Sequence, residues 1–327
     1  MSTSKPVTPC SAKVGTLEPC RFACSRILAR AHPARYRRWP SCRFEISRTR
    51  VRITDAGRRA LRNDSQATRK AIAMELHTVI LTKRKLAALP EAERSLLVLL
   101  GHASNEINVL SKLILMVRKD APSSRIAGRV EAGQACVLLR VLVGQLHEAW
   151  ELFRIRVQRN RPLNEKYIPL LDPEGTAALN NLKRHFGGSS PLTQIRKKVA
   201  FHYSDHDNLT EQSFQAVADT EPLELYLTTQ VGNSFYYASE VIVMSSALRM
   251  AAPGTSNDDR AFAKLCDHVI AVSRDITELF GQLIATIVQS CMPDLETHSE
   301  NHPDGPKLST LNLPYFIEFD MVTQNPP

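Results

Sequence analysis

Two side chains with complementary chemistry stand close together in the run Arg196-Lys197-Lys198-Val199-Ala200-Phe201-His202. A guanidinium holds a phosphate through several N–H donors, and an imidazole moves protons near neutral pH. Together they are the minimum equipment for cleaving RNA without a metal ion. Lys197 and Lys198 add charge that would steer a polyanion backbone. His206 follows four residues after His202, with Asp205 and Asp207 beside it. A shared helix face would make the two histidines metal ligands, but Ser204-Asp205 reads as a helix end and breaks that face. The expected metal set is therefore none. His206-Asp207 is also a doublet of the kind that holds a metal for phosphate-ester hydrolysis, without the further histidines that chemistry requires.

The element that carries the pair has a clear start. Ser190 is placed to cap a helix whose first residue is Pro191, where the missing N–H costs nothing. Leu192, Ile195, Val199 and His202 then fall at offsets of 0, 3, 7 and 10, one apolar stripe of an α-helix. His202 extends the buried face, and Arg196 stands at its edge beside Ile195. At about 100° per residue the two lie about 120° apart around the helix, so the long arginine must bend toward a groove that His202 borders.

A long helical hairpin is predicted to support this segment. Leu96, Leu100, Ala103, Ile107, Leu110, Ile114 and Val117 form a 4-3-4-3 stripe. Glu91 and Glu93 suit the positive end of that helix and Arg118-Lys119 the negative end. Pro122 stops it. Ala135, Leu139, Leu142, Leu146, Trp150, Phe153 and Val157 mark a second long helix that packs back antiparallel. Asp172-Pro173 opens a further helix, and a short one begins near Thr210. Leu223 to Leu227 is open between strand and helix. Long helices are expected over about 232–250 and 258–291. On the hairpin, His102/Glu106 and His147/Glu151 are i, i+4 pairs, expected as polar contacts between helices or as neighbours of the Arg–His groove. Asn105, Glu148 and His206 are the further residues expected to border that groove. Neither helix carries the Glu-x-x-His of a di-iron bundle, and there is no glycine-rich phosphate loop or nucleophile elbow.

The segment resembles the HEPN superfamily (higher eukaryotes and prokaryotes nucleotide-binding domains), whose hallmark is an arginine followed after four to six residues by a histidine. Five residues intervene here. The order of a helical hairpin and then the motif on a short helix is similar too. So are the phrases Gly101-His102-Ala103-Ser104-Asn105-Glu106 and Gln145-Leu146-His147-Glu148-Ala149-Trp150, over a span of about 90–250. The resemblance implies a metal-independent endoribonuclease, often a homodimer and in defence or toxin settings, with Arg196 and His202 catalytic and no cofactor. It implies that His202 takes the proton of a ribose 2′-OH while Arg196 holds the phosphate, leaving a 2′,3′-cyclic end. DNA lacks the 2′-OH and would be inert. Lys197 departs from the family, many active members of which carry Asn or another polar neutral residue directly after the arginine. The alternative expectation is a catalytically silent helical module that dimerises or docks a protein partner.

Charge divides the chain. Residues 1–73 hold 17 Lys/Arg against Glu18, Glu45, Asp55 and Asp64, a net +13, while residues 74–327 hold 25 basic and 29 acidic residues, a net −4. A cationic arm attracts nucleic acid without sequence selectivity. Cys10, Cys20, Cys24 and Cys42 lie in it with gaps of nine, three and seventeen residues, unlike the paired spacings of zinc modules. Within the arm, residues 44–62 resemble the wing-to-helix segment of winged-helix regulators, which keeps a DNA-binding regulator as a third, distant alternative. The arm is expected to be weakly ordered and is read as sequence upstream of a domain opened by Met74, its Arg- and Ser-rich character also suiting a transit peptide.

Aromatics make up 6% of residues, so aliphatic side chains must fill the core. No apolar run reaches the length that spans a bilayer, since His102, Glu106 and Lys112 interrupt the best candidate, residues 96–117. The expectation is thus an all-α bundle over residues 74–291, cytoplasmic and without membrane contact, followed by an irregular proline-rich tail over 292–327.

Overall fold

The computed structural model describes residues 74–117, 124–188, 190–200, 209–215, 217, 219, 221–230, 232–255, 258–292, 297–302 and 305–318. The basic arm and its 44–62 segment lie outside the described residues. Among them the protein is an all-α bundle of nine α-helices, with one small two-stranded sheet.

The hairpin is α2, Glu91–Val117, and α3, Arg125–Phe153, preceded by β1, Met74–Val79, and the short α1, Lys83–Ala87. Both acidic residues of the α2 start are in its first turn. Glu93 is buried there, its Oε1 accepting from Lys166 Nζ at 3.0 Å. Ser124 caps α3, its Oγ accepting from the Ala127 N–H at 3.1 Å. The predicted stripes face inward. Leu96, Leu100 and Ile107 of α2 share one core with Leu139, Leu142, Leu146, Trp150 and Phe153 of α3, and burial of such side chains is the main favourable term.

Helix α3 runs into a π-helical turn, Arg154–Gln158, and then α4, Arg161–Tyr167, and a 3₁₀ turn at Ile168–Leu170. Helix α5, Pro173–Phe186, is capped by Asp172, whose Oδ1 accepts from the Gly175 N–H at 2.8 Å. Next come α6, Pro191–Ile195, α7, Leu209–Phe214, and α8, Tyr237–Ala251. The longest helix, α9, spans Asp258–Cys291, the predicted bounds, and packs along α5 and α2. Its Leu265, Val269, Val272, Ile276, Leu279, Leu283 and Ile287 are all buried.

The structure corrects the expectations at two places. Helix α8 begins at Tyr237 instead of near residue 232. Tyr226 and Phe235 exchange backbone hydrogen bonds of 2.8 and 2.7 Å as an antiparallel bridge, and Gly232 turns the chain between them at φ +86°. Leu223 to Leu227 is accordingly non-helical. The tail is not wholly irregular. Thr297–His302 forms β2, antiparallel to β1 with Met74 opposite His302 and Val79 opposite Thr297. Farther on, Leu313 N–H donates to Met116 O at 3.0 Å and Tyr315 Oη to Ser234 O at 2.6 Å. Backbone pairing thus joins β2 to β1, and these two bonds tie Leu313 and Tyr315 to the bundle despite the prolines.

Candidate functional site

The segment that carries Arg196 is laid down by its cap and its stripe. Ser190 is the N-cap residue and Pro191 the first of α6, although the Ser190 hydroxyl is buried and makes no capping bond. Leu192 and Ile195 are fully buried and Val199 packs half-buried against the same core. After Ile195 the backbone widens into a π-helical turn, Arg196–Ala200. Its i→i+5 bonding turns less per residue than an α-helix, so the 120° separation of an ideal α-helix does not carry across it. His202 and His206 lie outside the described residues.

Arg196 bends back onto the hairpin. Its side chain is 29% exposed, and Nε and an Nη stand 2.9 and 2.7 Å from Oε1 of Glu148 on α3. Both donors converge on one carboxylate oxygen, so the pair is charge-assisted without being a two-oxygen fork. The same oxygen lies 3.8 Å from Nδ1 of His147. His147 is 9% exposed, and its Nδ1 is buried without a hydrogen-bond partner. Burial lowers its pKa below the ordinary histidine value. Glu148 and Glu151 oppose that shift, while Arg196 and Lys197 add to it. The ring stands edge-on to Phe186, which stacks on Trp150 with ring centres 5.3 Å apart. A cation, a carboxylate and a neutral imidazole therefore meet where α3 crosses the turn after α6, against an aromatic wall.

Of the predicted site residues, the fold brings together Arg196 and Glu148. Lys197 is exposed and Lys198 half-buried on the same turn. Asn105 is exposed on α2, and no hydrogen bond among the described residues joins it to Arg196 or Glu148. The i, i+4 pairs do not bridge helices: His102 meets Glu106 at 3.5 Å on the open face of α2, and Glu151 pairs with Arg154 one turn on. His147 lies beside the Arg196–Glu148 pair, the second of the two places expected for it, with Glu148, Glu151 and Phe186 around it. What the i, i+4 spacing did not express is its burial. Its apolar surroundings, between Leu146 and Ala149 on the buried stripe, were the available signal.

Among the described residues no three His, Cys, Asp or Glu side chains converge to hold a metal ion, and no helix is long and apolar enough to cross a membrane. No protein-family model, curated protein or solved structure matches the chain.

Proposed function

We propose that this protein is a metal-independent endoribonuclease of HEPN type, with Arg196 and His202 as its working pair. The observation that carries the reading is the posture of Arg196. It is drawn out of solvent to the edge of a helical hairpin and held there by Glu148 next to a second imidazole. Both of its donors now share one carboxylate oxygen, and an incoming phosphodiester offers the guanidinium two non-bridging oxygens in the fork geometry it binds best. The reaction would begin with His202 accepting the proton of a ribose 2′-OH, whose oxygen attacks the adjacent phosphorus. Arg196 stabilises the charge that builds on the phosphoryl oxygens. The P–O5′ bond breaks and the 5′-oxygen takes a proton, either the one held by His202 or one from water, giving a 2′,3′-cyclic phosphate and a 5′-hydroxyl. Lys197, exposed on the same turn, would steer the RNA backbone, and a second copy of the chain would pair its motif across a common groove.

A second reading is favoured by the same ion pair. Since Glu148 already neutralises Arg196, the pair would act as a structural clip between α3 and α6 in a silent module that dimerises or docks a protein partner.

The two readings separate in one assay, cleavage of a labelled mixed-sequence RNA in EDTA by the wild type, Arg196→Ala and His202→Ala. The half-exposed Arg196–Glu148 pair is worth at most about 1 kcal/mol, so Arg196→Ala remains folded and its activity is interpretable. Cleavage that yields cyclic-phosphate ends and disappears in both variants is the expected result. A folded wild type that leaves RNA intact overturns the ribonuclease and leaves the module.

A further inference from the structure

Two more histidines meet between the end of α5 and the middle of α9. His185 closes the last turn of α5, and His268 and Asp275 lie seven residues apart on α9, two turns along one face. His185 Nδ1 and His268 Nε2 stand 2.9 Å apart. The remaining nitrogen of His185, Nε2, points toward Oδ2 of Asp275 at 4.0 Å. Asp275 is 4% exposed. Its Oδ1 accepts from the exposed Arg274 at 3.2 Å, and its Oδ2 is buried with no hydrogen-bond partner.

From this juxtaposition we propose that His185 and His268 bind a divalent cation of the zinc class, with Asp275 orienting the His185 ring and water completing the coordination.

Borderline cations take neutral imidazole nitrogens at about 2.0–2.1 Å, so a tetrahedral ion needs its two nitrogens about 3.3 Å apart. The observed 2.9 Å is reached from there by a ring movement of a few tenths of an ångström. In the metal-free pair His185 carries its N–H on Nε2 toward Asp275, so His268 Nε2–H is the donor to His185 Nδ1. On metal binding that proton moves to His268 Nδ1, His185 keeps its own on Nε2, and both freed lone pairs face the ion. Burial lowers the pKa of both rings and so favours the neutral form that a metal requires. The unpartnered Oδ2 gains a purpose, since a carboxylate behind a ligating histidine sets its tautomer and ring direction. His185 is 28% exposed, which leaves a way in for the ion and room for water ligands. Two protein ligands make an open site, one that would cross-link the end of α5 to the middle of α9.

The site is independent of the ribonuclease reading, because its test reads metal and not RNA. The full chain is dialysed against zinc beside His185→Gln, His268→Gln and Asp275→Asn, with helical content checked by circular dichroism. The wild type is expected to retain one zinc per chain more than either histidine variant and to melt at a higher temperature when zinc is added. Asp275→Asn is expected to weaken that zinc about tenfold or more. Equal zinc stoichiometry and affinity in the wild type and both folded histidine variants overturns the proposal.

Discussion

Arg196 gives two N–H donors to one oxygen of Glu148, and that same oxygen lies 3.8 Å from Nδ1 of the buried His147. The imidazole therefore stays neutral for a reason of burial, with only partial compensation from Glu148 and Glu151. At and above about pH 7 His147 is neutral in both the folded and the unfolded chain, and the fold keeps its full stability. As pH falls below the ordinary value of 6.5, the unfolded chain takes up the proton first, because the folded pKa is lower. Stability is lost progressively from there down to the folded pKa. Melting temperature should thus decline between pH 7 and pH 5.5. His147→Gln should lose part of that decline, and an unchanged profile in the variant would remove His147 from the account.

At the scale of elements, helix α3 does two jobs, since its one end presents Glu148 and its other end accepts the bridge that starts α8. Gly133 sits at that second junction. A Cβ there would stand 2.5 Å from Cζ and 2.6 Å from Cε1 of the buried Phe235 ring. Replacing a helical glycine by alanine contributes about 1 kcal/mol of helix propensity. Forcing a packed ring aside costs about 1–3 kcal/mol. The second effect exceeds the first, so Gly133→Ala should lower stability in urea unfolding by about 1 kcal/mol. A stabilised variant would show that the ring has room to move. Much of this level is legible in the sequence. Ser190 and Pro191 announce α6, and the spacing of Leu265 to Ile287 announces α9, because caps and helical stripes are local patterns. The start of α8 is not legible, because it depends on Phe235 being held extended by Tyr226, nine positions earlier.

At the scale of the whole molecule, the first and last described segments are joined to distant parts of the chain. Strand β2 returns to β1, and the chain after it reaches the bridge region through Asn233. This side chain is buried, its Oδ1 accepting from the Ile317 N–H at 3.0 Å and its Nδ2 donating to Ile317 O at 2.6 Å. A single side chain thereby supplies both a donor and an acceptor to a passing backbone. Asn233→Ala should release residues 311–318 from the body, and limited proteolysis should cut there faster than in the wild type. Equal cleavage would mean that the Tyr315 bond to Ser234 and the Leu313 bond to Met116 suffice.

By itself the sequence determined the class of the fold, the positions of the long helices and the buried stripe that carries Ile195 toward Arg196. Each of these follows from periodicities of a few residues, which a chain expresses wherever it packs. Only the tertiary structure decided which charges meet. Glu148 lies 48 positions from Arg196 and His185 lies 83 from His268, and the strand at Thr297–His302 has a polar sequence with no alternation to announce it. Contacts at such separations are set by how helices cross and by where an edge finds its partner. Those are properties of pairs of elements, and no local spacing within either element contains them.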